Sequence, residues 1–121
     1  MILVDTSVWV DYLRKGDRAL AAALTASRVA THPFIIGELA CGQLKARDRI
    51  LSLLRSLPKV PLATEEEAFQ FLERRRLYGR GLGYIDVHLL AAASLHPDAR
   101  LWTRDKRLQA AANELQLCHA E

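Results

Sequence analysis

A chain of 121 residues, 50% apolar and 26% charged, has the length and balance of one ordinary globular domain, which excludes disordered and fibrous classes. Such a domain buries roughly two-thirds of the surface its unfolded chain exposes, so no metal or disulfide staple is required for a core. Seventeen Lys and Arg against fourteen Asp and Glu give a formal net charge of +3, too mild by itself to name a partner.

The first apolar run, Ile2 to Asp5 in "MILVDTS", reads as a buried strand ending in a carboxylate, with Thr6 and Ser7 next. Asp5, Thr6 and Ser7 are all residue types that cap a helix, and a helix is predicted over Ser7 to Arg14. "KGD" then separates it from a second helix, Asp17 to Ala26, with Gly16 suited to end the first and Asp17 to cap the second. Arg28 to Thr31 reads as the second strand. "HPFIIGELACG" follows, with Pro33 placed for a first helical turn and Gly42 for a stop.

A helix is predicted from Lys45 to Leu57, where Ile50, Leu51, Leu54 and Leu57 make an apolar stripe and Pro58 ends it. Lys59 to Leu62 is the third strand. Thr64 with Glu67 forms a capping box that opens a helix to about Leu77. Three glycines in "YGRGLG" break the chain before "YIDVHLLAAASL" resumes helix. Leu101 to Thr103 and, weakly, Leu115 to Cys118 complete the strands, with "DKRLQAAANEL" helical between them. Short apolar runs alternating with helical segments are the pattern of a parallel sheet covered on both faces.

The longest strongly apolar stretch, "LLAAASL", is far below the roughly 20 residues of a membrane span. No basic region precedes a long apolar stretch at the N-terminus, so a cytoplasmic protein is expected, with no membrane partner. Cys41 and Cys118 lie far apart and do not combine with the four histidines into a zinc-site spacing.

Four acids occupy unusual places. Glu38 is the only charge in "FIIGELACG", and Asp86 sits in "YIDVHLLAAA" with helical neighbours Leu82, Leu89, Leu90 and Ala93. Asp5 and Asp105 each end an apolar strand. In an open parallel sheet, ligands bind beyond the carboxyl ends of the strands, where the helices that follow them begin. Asp5, Glu38, Asp86 and Asp105 can all converge there. Partly buried carboxylates without a counter-charge repel, and a divalent cation resolves the repulsion. An all-oxygen set suits Mg²⁺ or Mn²⁺, which activates water against a phosphodiester, with Thr6 and Thr103 adding hydroxyls beside it. Setting those four acids aside leaves ten acids against seventeen basic residues over the remaining surface, a balance that attracts polyanions. Arg74, Arg75, Arg76, Arg80, Arg104, Lys106 and Arg107 are the candidate phosphate contacts. For each acid the plainer reading is a helix cap, a partner of the helix dipole or an internal salt bridge.

On "ILVDTSVW" with Asp5, "IIGELACG" with Glu38, "YIDVHLLAAA" with Asp86 and "LWTRDKRL" with Thr103 and Asp105, the chain resembles PIN-domain ribonucleases, specifically VapC-type toxins of prokaryotic toxin–antitoxin pairs. The resemblance spans residues 1–121, read as one PIN-like nuclease domain. It implies an α/β/α sandwich with a parallel five-stranded sheet, Mg²⁺- or Mn²⁺-dependent endoribonuclease activity, a homodimer, and neutralisation by a bound protein antitoxin. It also implies that Asp5, Glu38, Asp86 and Asp105 are the catalytic and metal-binding quartet, with Thr6 and Thr103 beside them. The apolar breadth of "SVWVDYLRK" and the amphipathic helix from Lys45 to Leu57 suit either two walls of a groove for an antitoxin segment or plain packing on the sheet or a dimer mate. A phosphoacceptor receiver fits poorly, since "LVDTS" holds one acid and "KVPLAT" none. A haloacid-dehalogenase-like phosphatase would need an acid where Ser7 stands. A housekeeping RNA-processing nuclease and a non-catalytic RNA-binding module on the same fold are the remaining alternatives.

Overall fold

The computed structural model describes all 121 residues. At its centre is β1 (Ile2–Val4), paired in parallel with β2 (Val29–Ala30) on one side and with β3 (Arg100–Trp102) on the other. Ile2 lies opposite Val29 and Arg100, and Val4 opposite Trp102. Successive strand side chains point to opposite faces, yet Ile2, Leu3 and Val4 are all buried, so both faces of β1 are covered. An all-apolar run is what such a position demands.

The helices follow their caps. Asp5 and Asp17 cap α1 (Thr6–Lys15) and α2 (Arg18–Thr25), and Gly16 takes the positive φ of 79° that ends α1. Pro33 opens α3 (Pro33–Ala40) and α4 spans Arg47–Ser56. The Thr64–Glu67 capping box opens α5 (Glu65–Arg74), while Asp105 caps α7 (Lys106–Glu114). Between those two, α6 (Tyr84–Leu95) is buried from Val87 through Ala93. Helices α1 to α4 pack on one another, and α5 packs along α6, which also touches β3.

Two expectations are corrected. The sheet has three strands, not five: the segments read as strands at 59–62 and 115–118 are each reduced to one parallel bridge, Thr31 with Lys59 and Leu101 with Cys118. The first cannot lengthen, because α4 runs to Ser56 on one side and Pro33, which has no N–H to donate, starts α3 on the other. The second is bounded by β3 leaving the sheet at Thr103 and by Gln116, whose φ of 59° turns the chain just before Leu117.

The helix predicted to reach Leu77 stops at Arg74. Arg76 takes a φ of 54°, its N–H reaching Glu73 O at 3.2 Å while the Leu77 N–H reaches Leu72 O at 3.0 Å. This is a Schellman motif built without glycine. Ser27 (φ 56°) and Gln116 (φ 59°) end α2 and α7 with the same paired bonds. A non-glycine residue is strained there by roughly 1 kcal/mol, against which glycine carries a larger unfolded-state entropy. Ser27→Gly, on an exposed turn far from the acids, is therefore expected to stabilise the fold by a few tenths to about 1 kcal/mol in urea unfolding. A destabilised variant would show that the Ser27 side chain contributes more than its strain costs.

Candidate active site

The sheet order β2-β1-β3 makes the chain run outward from β1 to β2 and then return to the other side of β1 as β3. The cleft beyond the carboxyl ends of β1 and β3 is thus the point where strand order reverses, the expected ligand position in an open parallel sheet. Asp5 leaves β1 and Asp105 follows β3 at that point. Helices α3 and α6 bring Glu38 and Asp86 toward it: the negative charges of Asp5, Asp105 and Glu38, together with burial as the largest cause, push the Asp86 carboxyl above the usual carboxylate range. The four acids share one electrostatic field. They are unequally buried, with Asp5 only 6% exposed, Asp86 half-buried, and Glu38 and Asp105 exposed.

Each carboxylate commits one oxygen. Asp5 Oδ2 accepts from Ser7 Oγ and from Thr103 Oγ1, both at 2.8 Å, and more loosely from the Ser7 N–H at 3.4 Å. Glu38 Oε1 accepts from Thr6 Oγ1 at 2.9 Å. Asp86 Oδ2 accepts from the Gly83 N–H at 2.9 Å, and Asp105 Oδ1 from the Leu108 N–H at 3.0 Å. Asp5 Oδ1, Glu38 Oε2, Asp86 Oδ1 and Asp105 Oδ2 have no protein partner. Capping and ligation, rivals in the sequence, are thus compatible in the structure: three of the acids cap a helix and still keep one oxygen uncommitted.

Thr6 and Thr103 lie beside the quartet, and their hydroxyls hold carboxylates. Thr103 also accepts from the Asp105 N–H at 3.1 Å, tying Asp105 to Asp5 through one hydroxyl. Ser7, which the sequence offered only as a cap, is a further member. Its Oγ accepts the Arg104 N–H at 3.0 Å and lies 3.3 Å from Thr103 Oγ1. Its partners sit almost a hundred positions away, and adjacency to Asp5 was its only local signal.

Arg104 and Arg80, expected as phosphate contacts, are engaged elsewhere. Arg104 Nη1 lies 2.8 Å from Asp11 and 2.7 Å from Asp17, and Nη2 lies 2.5 Å from Glu121. These acids raise its proton affinity, and the Arg104 hydrogen bond in turn lowers the Asp17 carboxyl. The guanidinium also stacks over Trp102 at 5.5 Å, which clamps the 103–105 segment that carries two site residues. Arg80 pairs with Glu114 at 2.7 Å. Arg107 forms none of these ion pairs and packs against Gly81, where a Cβ would come within 2.5 Å of Nη1. The histidines stand apart from the acid oxygens. Burial pushes the His32 imidazole down to about 4, so it is neutral near pH 7, with Nδ1 accepting the Phe34 N–H at 3.0 Å.

No three acidic, His or Cys side chains are gathered closely enough to cage an ion. The donor set is all oxygen, negatively charged and incompletely used, and so fits a hard divalent cation.

The sequence and the fold match known proteins. The sequence model of the PIN domain matches residues 2–114. The chain belongs to the PIN-domain family. Ribonuclease VapC32 of Mycobacterium tuberculosis is 49% identical to this PIN domain over 121 residues, covering 100% of the chain and 98% of the relative. Among solved structures, the FitAB complex bound to the IR36 DNA fragment superposes on it with a TM-score of 0.66 at 18% identity, covering 100% of this chain and 98% of that one. PAE2754 from Pyrobaculum aerophilum gives 0.60 at 21% identity, covering 91% and 83% respectively. Those two likenesses show the fold.

Asp86 links the site to stability. Its folded proton affinity exceeds the unfolded one, so the folded state holds the proton more tightly. Without metal, stability should fall as pH rises from the ordinary carboxylate value through the raised Asp86 value, and level off above it. Asp86→Asn removes that loss and should melt above the parent at pH 7 in chelator, with a flatter profile across the acid range. A variant that melts below the parent across that range would show that the Gly83 bond outweighs the repulsion.

Proposed function

We propose that this PIN domain is an Mg²⁺- or Mn²⁺-dependent endoribonuclease and the toxin of a VapBC-like pair. The observation that carries it is the set of four carboxylates at the sheet's reversal point, each with one oxygen uncommitted. The 49% identity to Ribonuclease VapC32 along the whole chain supports an RNA substrate. Asp5, Glu38, Asp86 and Asp105 would hold the metal. When bound, the cation lowers the pKa of the attacking water and neutralises charge on the scissile phosphate.

The chain's residues do the rest. Ser7 and Thr103 fix Asp5 through one oxygen, leaving the other for the ligand. Thr6 does the same for Glu38. A carboxylate oxygen not engaged by the cation accepts the proton of the attacking water. Arg107, outside the ion pairs and packed beside Gly81, would be available to bind a phosphate of the strand.

The partner reading has a matching surface. A cavity of about 260 Å³ is lined by Thr6, Val10, Leu13, Arg14, Glu38 and Leu39, among others. It shares Leu13, Arg14, Gln43 and Leu44 with a second, of about 290 Å³, that reaches Ile50 of α4. An antitoxin segment lying along α1 there would end beside Glu38, where a basic side chain neutralises the acids. The same reading makes residues 1–121 one nuclease domain, cytoplasmic and homodimeric.

Purified, partner-free protein should cut RNA with Mg²⁺ or Mn²⁺ and stop in chelator. Asp5→Asn should abolish cleavage while melting at or above the parent in chelator, since the amide oxygen still accepts from Ser7 and Thr103 and one repelling charge is gone. Added Mn²⁺ should raise the melting temperature of the parent more than that of the variant. An Asp5→Asn protein that cleaves RNA like the parent contradicts the assignment.

A further inference from the structure

Two large aromatic side chains stand at the acid end of the sheet outside both the core and the carboxylate network. Phe34 is 40% exposed and Tyr84 48%. They occupy the first turns of α3 and α6, the helices that carry Glu38 and Asp86. Phe34 and Glu38 are four residues apart and so share a face of α3. Tyr84 directly follows Gly83, whose N–H holds Asp86.

One buried ring joins them. The His88 centroid lies 5.0 Å from that of Phe34 at an interplanar angle of 72°, and 4.7 Å from that of Tyr84 at 89°. Both exposed rings therefore meet the same imidazole edge-on, and His32, fully buried, backs Phe34 at 5.0 Å. Rings braced against a buried imidazole lose less freedom on binding than rings with no such contact. The loop that leads into Tyr84 also carries Gly81, against which the unpaired Arg107 packs. Exposed rings and the acids Glu38 and Asp86 thus belong to neighbouring turns of α3 and α6, and a guanidinium outside any ion pair packs on the loop that leads into α6.

Those three chemistries match the three parts of a nucleotide strand. The geometry points to Phe34 and Tyr84 as a stacking platform for one unpaired base next to the phosphate that is cut. Within an A-form duplex the base faces are covered by their neighbours, whereas splayed single-stranded bases stack on aromatic side chains. The platform thus requires an unpaired base beside the scissile phosphate. It rests on the nuclease reading above.

The test is an abasic scan. A single-stranded RNA oligonucleotide that the protein cuts is made with one abasic nucleotide at each position around the cleavage site, and rates are measured for the parent, Phe34→Ala, Tyr84→Ala and the conservative Phe34→Tyr and Tyr84→Phe. One abasic position should slow the parent about tenfold, within the range for loss of one base–aromatic stack. Each alanine variant should slow on the intact oligonucleotide and lose its sensitivity to that abasic position. The conservative variants should keep it. Phe34→Leu and Tyr84→Leu retain apolar packing against His88 without a flat face, and should behave like the alanines even where the alanines fold poorly.

Equal abasic sensitivity in parent and leucine variants overturns the platform and leaves the nuclease reading standing. Variants that cut RNA normally but escape a protein inhibitor would assign the rings to a protein partner instead, and equally overturn it. Failure of the parent to cut any RNA removes the nuclease reading and the platform together.

Discussion

Four carboxylates in one field repel, and the surrounding structure is organised to hold them together despite that. Burial first, and then the negative charges of Asp5, Asp105 and Glu38, raise the proton affinity of Asp86. What opposes the repulsion is a set of short hydrogen bonds to one oxygen of each acid, from Ser7, Thr103, Thr6 and the backbone of Gly83 and Leu108. Bonds to a charged acceptor are among the stronger ones a protein makes. Every such bond stops at one oxygen, so each acid keeps a second oxygen without a protein partner.

That arrangement depends on the sheet order. With β1 between β2 and β3, the Asp5 and Asp105 segments leave neighbouring strands and meet at one cleft, and the Thr103 hydroxyl is close enough to serve both. The Arg104 clamp on Asp11, Asp17 and Glu121 works at the same joint, since its backbone N–H also binds Ser7. Rigidity at the acids is therefore supplied by residues that do not face the cleft. A short three-stranded sheet suffices because β1 is buried on both faces.

Much of this was legible in the sequence for a common reason: isolated charges in apolar segments are costly and so need a purpose. Glu38 and Asp86 stood out that way, and Asp5 and Asp105 stood out as acids ending apolar strands. Caps that act within four residues, such as Thr64 with Glu67, were equally plain. Long-range features were not. Ser7 meets Thr103 and Arg104 across nearly the full chain, and Arg104 read as a phosphate ligand because its three acids come from distant segments. The helix end before Arg76 was hidden because its left-handed turn was made without glycine, whereas the ends at Ala26 and Leu115 were read where they lie. The outer strands were over-read because an apolar run shows propensity, while the length of a ladder depends on where the neighbouring helices begin.

The central proposal is that the uncommitted oxygens of Asp5, Glu38, Asp86 and Asp105 line the edge of a site for a hydrated divalent cation. Anomalous diffraction from crystals soaked in Mn²⁺ tests it most directly. The account predicts a peak in the cleft between β1 and β3, within direct ligand distance, about 2.0–2.3 Å, of Asp5 Oδ1 or a neighbouring uncommitted carboxylate oxygen. A cleft without a peak at Mn²⁺ concentrations that support RNA cleavage, or a peak at other residues, would contradict it.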